Sequence, residues 1–260
     1  MGIVTPLVSS DVYVIFAEDR GQRFPIVRET LADRSGYNPF VGLTPSMSDS
    51  DHSPFRHGVV MGYGDFTFDS LLAEFNLSVV QAPLFAPPSR IEPSPWLLDT
   101  LQKGRGIAFY SEKSRSEFIV VPVLLACQEM LRSNCCLYSG VRLDVDADKG
   151  LKGECDFILA KTPPGPALRA PLLVVVEAKK NDIEEGLAQC AAQMVAARLF
   201  NEHHKEVVPA LYGCVTTGET WQFLRLRQQE LVVDEDRYYI TEVATILGIL
   251  VTVMKGEISS

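Results

Sequence analysis

No Cys-x-x-Cys pair occurs among the six cysteines, at 127, 135, 136, 155, 190 and 214, and no histidine stands at ligand spacing from them. Neither a zinc site nor a redox motif is indicated, and the thiols read as free groups in a reducing compartment. Basic charge is also short: 24 Lys and Arg against 33 Asp and Glu give a formal net charge of -9. That argues against a nonspecific nucleic-acid coat but leaves room for a local basic groove. The start MGIVTPLVSS lacks the basic residues and long apolar core of a secretory signal. The best membrane candidate, 244–254, is too short for a bilayer and is interrupted by Thr245 and Thr252. A cytoplasmic protein with no membrane contact is expected. No P-loop lysine follows Thr216-Thr217-Gly218, so that stretch reads as a hairpin connection and not a phosphate loop.

A chain of 260 residues with 47% hydrophobic and 22% charged content can bury a sizeable core as one large domain or two small ones. Residues 1–57 do not read like the rest. They hold one candidate strand, 11–16, and over 31–57 they become Ser, Asp, Pro, Gly and Arg with few aliphatics and no period, which predicts a poorly ordered extension. The domain proper is expected over 58–260. It begins with helical spacing at Leu71, Leu72 and Phe75, followed by a short strand at 79–80, a proline-dense connector over 82–96, and a helix capped by Ser94 with Pro95 at its first position.

A helix is then expected over 111–132, kinked or broken at Pro122. Alternation over 137–145 and 152–160, separated by the turn chemistry of DADKG, predicts a β-hairpin. A strand at 172–176, a helix over 183–202, strands at 207–215, 221–227 and 231–233, and an amphipathic helix over 241–254 complete the pattern.

The chemistry gathers at PLLVVVEAKK, residues 171–180. Five apolar residues suited to a strand buried on both faces turn abruptly charged, and Glu177 and Lys179, two apart, project from one face of an extended chain. A solvated strand end is the alternative. In the hairpin, Asp156 shares a face with Ile158 and Ala160, opposite Cys155, Phe157 and Leu159. An Asp in so apolar a strand needs a partner, and the nearest strand in sequence presents Glu177. Two such carboxylates raise each other's pKa unless a cation lies between them, and carboxylate oxygens are what a hard ion such as Mg2+ takes.

In the helix before the hairpin, Glu117, Val121, Leu124 and Leu125 recur at spacings of three and four, so Glu117 lies on an apolar stripe while Glu112 falls on another face. This phase favours Glu117 as a third acidic group, with a fringe position pointing to water as the competing reading. Other candidates have ordinary explanations: His203 and His204 end a helix, Asp144 and Asp146 sit beside a turn, and Trp221 and Phe223 suit a core.

Gly153-Glu154-Cys155-Asp156, then 20 intervening residues, then Glu177-Ala178-Lys179 at the end of an aliphatic strand, resembles the PD-(D/E)XK nuclease superfamily. The stretches SEKSRSEFIVVPVL, GECDFIL, VVVEAKK, GLAQCAAQMVAAR and YGCVTTGETWQFLRL together look like a family of small bacterial proteins of unassigned role within it, frequent in cyanobacteria. The resemblance spans roughly 61–254. It implies an α/β (α+β) fold with a restriction-endonuclease-like core, a central mixed β-sheet flanked by helices. It implies a Mg2+-dependent nuclease, with Mn2+ as substitute, that cuts DNA by in-line attack of a metal-activated water. Asp156, Glu177 and the backbone carbonyl of Ala178 would be ligands, Lys179 would position the water, and Glu117 would be the extra acid. Some relatives carry Gln-x-x-x-Tyr on the following helix, and here Gln189 and Gln193 stand at that spacing, with Gln193 in place of the Tyr. Cys155 replaces the proline of the superfamily's name. A homodimer is implied by analogy with nucleases that cut both strands. The rival expectations are a noncatalytic DNA-binding or assembly module on the same fold and an RNA-directed nuclease.

Overall fold

The computed structural model of the chain describes residues 12–19, 22–29, 61–85, 87–107 and 111–257. The chain forms two compact units, Met1–Val59 and Val60–Ser260. In the first, β1 (Val12–Asp19) pairs antiparallel with β2 (Gln22–Glu29) in a two-stranded ribbon. Only one strand was legible here because Pro25 interrupts the second. A two-stranded ribbon has only edge strands, where a missing N–H is tolerated. The expected extension over 31–57 lies outside the described residues.

The second unit opens with a 3-10 turn at Tyr63–Asp65 and α1 (Phe68–Phe75), capped by Thr67, whose hydroxyl accepts from the Ser70 N–H. Next come β3 (Ser78–Ala82) and α2 (Pro95–Arg105), started by Ser94, whose hydroxyl accepts from the Leu97 N–H. The helical stretch before the hairpin is α3 (Glu112–Arg115), a π turn at Ser116–Val120, and α4 (Val121–Leu131). The reason is Pro122, which offers no N–H to the preceding turn and crowds the Phe118 carbonyl. The chain answers with one widened turn and continues, with Pro122 in the first turn of α4. Gly104 of α2 lies against that same carbonyl, where a Cβ would come within 2.5 Å of the oxygen.

The remaining elements are β4 (Cys136–Arg142), β5 (Glu154–Ala160), β6 (Leu172–Ala178), α5 (Glu184–His203), β7 (Leu211–Thr216), β8 (Thr220–Arg227), β9 (Glu230–Asp234), β10 (Tyr238–Tyr239) and α6 (Val243–Lys255). The expected strand from 207 begins instead at Leu211, after Pro209, and Val207 is 95% exposed. The strands form one eight-stranded mixed sheet in the order β3-β9-β8-β7-β6-β5-β4, with β10 also on β8. β4, β5 and β6 run as an antiparallel meander, α5 crosses over, and β7 returns parallel to β6.

Helices cover the sheet. All of β6 is buried, and Val174, Val176 and Ala178 join one core cluster with Leu124 of α4 and Ile246 and Leu250 of α6. On α5 the buried positions include Ala188, Ala191, Ala192, Ala196 and Ala197, small side chains that bring the helix close to the sheet. Among the described residues no helix is long and apolar enough to cross a membrane.

Candidate functional site

The β5–β6 ladder ends at Phe157↔Val176, whereas β5 stays paired with β4 as far as Glu154 and β6 with β7 as far as Ala178. These two strands therefore part at one end. Continuing the antiparallel register by one residue sets Asp156 opposite Glu177. In the gap the Asp156 carboxylate replaces a backbone acceptor: the Ala178 N–H donates to its Oδ2 at 2.8 Å. Lys179, just past the strand, is pinned by its own N–H, which donates to the Thr216 carbonyl at 2.8 Å.

Four side chains close around this point. Lys179 Nζ lies 2.9 Å from Glu177 Oε1 and donates to Gln189 Oε1 at 2.8 Å. One turn along α5, Gln193 Nε2 donates to Glu177 Oε2 at 2.8 Å. Gln193 is fully buried, and its Oε1 has no hydrogen-bond partner among the described residues. Glu177 is 3% exposed. Burial first, then the Asp156 charge, push its carboxyl up to about 7, against the downward pull of Lys179 and Gln193. Asp156 is also raised, by burial first, while the Ala178 N–H pulls it down and the Glu112 charge pushes it up. Cys155 beside them is fully buried, and burial together with the Glu177 and Asp156 charges keeps its thiol protonated.

Asp156, Glu177, Lys179, Gln189 and Gln193 thus meet at the parted strand end. Glu117 does not join them. Its side chain is 51% exposed and stands 3.8 Å from Lys113 Nζ, and Glu112 is the helix carboxylate whose charge reaches Asp156. The cause is the π turn: counting back from Leu124 at helical spacing, the extra residue in the widened turn takes Glu117 off the inward phase, and Glu112, itself exposed, acts on Asp156 through its charge alone. Gly186, in the first turn of α5, is a further residue at the site that the sequence did not single out. A glycine inside a buried helical turn was the available signal.

The alternative candidates are accounted for by structure. Asp144 accepts from Arg142 and from the Gly153 N–H, and Asp146 accepts from the Lys149 N–H. Thr216 Oγ1 accepts from the Gly218 N–H in the β7–β8 connection. Trp221 and Phe223 are buried, and the His204 ring lies 4.2 Å from that of Phe200 at the end of α5.

Chemically, a buried and a half-buried carboxylate, each destabilised as an anion by loss of solvent and one directly by the other, fit a hard divalent cation. Among the described residues no group of three or more His, Cys, Asp or Glu side chains is placed to hold a metal. Comparison of the sequence with known families finds no matching family model, and comparison with curated proteins finds no match.

Proposed function

We propose that the protein is a metal-dependent nuclease that hydrolyses DNA phosphodiester bonds, built on a restriction-endonuclease-like core. The observation that carries this reading is the opposition of Asp156 and Glu177 across two parting strands, with Lys179 held on Glu177. The helix, the three-strand meander, the crossover helix and the parallel return strand supply the expected frame in the expected order. Fold by itself licenses no activity, so the weight rests on the charged set.

Asp156, Glu177 and the Ala178 carbonyl would hold Mg2+, or Mn2+ in its place. Bound there, the ion would lower the pKa of a coordinated water and polarise the scissile phosphate. Lys179 places one ammonium hydrogen on Gln189 and a second toward Glu177, which leaves a third to orient the attacking water or to offset charge on a phosphate oxygen. Gln193 fixes the Glu177 carboxylate from the side away from Lys179. Glu112, whose charge reaches Asp156, would be the extra acid in place of Glu117. Attack forms a phosphorus–oxygen bond in line with the one that breaks, the water's proton passes to solvent, and the leaving sugar oxygen takes up a proton. Cutting both strands would take two copies of the chain.

A second reading, a noncatalytic DNA-binding or assembly module, is favoured by one feature: both Glu177 oxygens already have partners, in Lys179 and Gln193. Purified protein incubated with supercoiled and linear DNA, in Mg2+, in Mn2+ and in chelator, separates the two. The nuclease reading expects cleavage that needs the metal and that falls by at least about a hundredfold in Lys179→Ala, the scale of one lost charge-stabilising group. Cleavage absent, or unaffected by Lys179→Ala, would leave the binding module. RNA given in the same assay tests the choice of nucleic acid. Calorimetric Mn2+ binding lost in Asp156→Asn would support the ligand assignment, and unchanged binding would remove it.

A further inference from the structure

We propose that Gly186 and Gln189 form a seat on α5 that fixes Lys179, with Gly186 acting as a positioning residue, an inference that rests on the reading of Lys179 as the group orienting the attacking water. The lysine stem crosses the first turn of α5 directly over Gly186. A Cβ at that position would lie 3.0 Å from Lys179 Cγ, 3.2 Å from its Cε and 2.6 Å from Val215 Cγ1. Any side chain at 186 would fill the groove the stem occupies. Three residues on, on the same helix face, Gln189 Oε1 receives the ammonium at 2.8 Å. The backbone end is fixed as well, by the Lys179 N–H on Thr216.

Lys179 is therefore held at three points along its length, and its ion pair with Glu177 is only one contact of its head. When the Glu177 carboxylate is given to another cation, the groove and the glutamine still hold the ammonium beside it. Glycine weakens a helix relative to alanine, so its place in a buried turn has a packing reason, and Val215 and the lysine stem together supply it.

Reductive methylation of the metal-free protein tests the seat without any catalysis, using Lys180 as the internal reference, since Lys180 is exposed and Lys179 is not. Wild-type Lys179 should label more than about tenfold more slowly than Lys180, since the Gln189 hydrogen bond, the Glu177 ion pair and partial burial all protect it. The variants are Gly186→Ala combined with Val215→Ala, which removes the core clash and leaves the clash with the lysine, and Gln189→Met at a half-buried position. In both, the Lys179 rate should rise about tenfold relative to that of Lys180, the share of the protection that one hydrogen bond to a charged group supplies, with the Glu177 ion pair accounting for the remainder. Equal rates in wild type, or the wild-type ratio retained in either folded variant, would overturn the proposal. If the double variant fails to fold, Gln189→Met decides alone. A failure of the nuclease reading shows in the plasmid assay and leaves this result standing, so the two are separable.

Discussion

Helix α5 reaches both ends of β6 with a buried side-chain amide, Asn201 at the start and Gln193 at the finish, and the two amides end in opposite states. Asn201 uses both of its polar ends: Oδ1 accepts from the Leu172 N–H and Nδ2 donates to the Leu172 carbonyl, each at 2.8 Å. Gln193 uses one, on a carboxylate raised to about 7, and its Oε1 is left without a partner. The first contact is neutral and complete, so it contributes stability. The second sits in a cluster that well-packed apolar residues would relieve.

Burial of an acid does not by itself make the difference. Asp234 is fully buried and raised to about 6, chiefly by burial, yet it accepts from the Leu84 and Asp236 N–H groups and from the Tyr238 hydroxyl. Its oxygens are filled by fixed protein donors that tie the β9–β10 edge together. At the parted end of β6 the Gln193 oxygen has no such donor among the described residues, and unmet valence of this kind is what a ligand site requires.

The contrast is tested most strongly by removing the complete clamp. Asn201→Ala orphans a buried N–H and a buried carbonyl at Leu172 and should cost about 3 kcal/mol of stability. Urea denaturation measures it, and Mn2+ affinity of the folded fraction should be unchanged. A loss below about 1 kcal/mol would mean that the start of β6 is no better anchored than its finish.

At the other end the expected signature is pH dependence. Glu177 is raised from its ordinary 4.5 to about 7 in the folded chain, by burial and then by Asp156, so the native state binds more protons across that window. The stability it allows is fully present below about pH 4.5 and is lost as pH rises through about 7, a change of about 3 kcal/mol. Asp156 and Asp234 shift in the same direction, so the decisive quantity is the difference between wild type and Glu177→Gln. Denaturation in chelator at pH 5 and pH 8 should show a clearly flatter profile in the variant. Equal slopes would make Glu177 an ordinary buried acid with its needs met.

How much of this was legible in the sequence depends on how far each pattern had to be extrapolated. Strand parity is a period of two over short runs, so placing Glu177 and Lys179 on one face needed a count of only two residues. Asp156 opposite Glu177 needed the hairpin and the meander as well, and both were signalled by alternation and turn residues. Helical phase is weaker: from Leu124 back to the acidic residues it passes through Pro122, and one widened turn there was enough to take Glu117 off the inward face. The role of Gly186 had no pattern to announce it, because a groove is a property of what lies against the glycine. The second strand of the N-terminal ribbon was hidden for a simpler reason, the proline within it.

The helix carboxylate gives the smallest expected effect and the sharpest discrimination. If the π turn sets the phase, Glu112→Gln removes a negative charge that acts on Asp156, while Glu117→Gln removes one that faces Lys113 and solvent. Glu112→Gln should weaken Mn2+ binding by about tenfold, a reasonable size for one nearby charge in a partly solvated site. It should also lower the Asp156 pKa, since the charge it removes raises that pKa. Glu117→Gln should change neither by more than about twofold, as expected for an exposed i,i+4 pair. The reverse result would restore the phase read straight through Pro122 and would put the widened turn, rather than the acidic pair, in need of a different explanation.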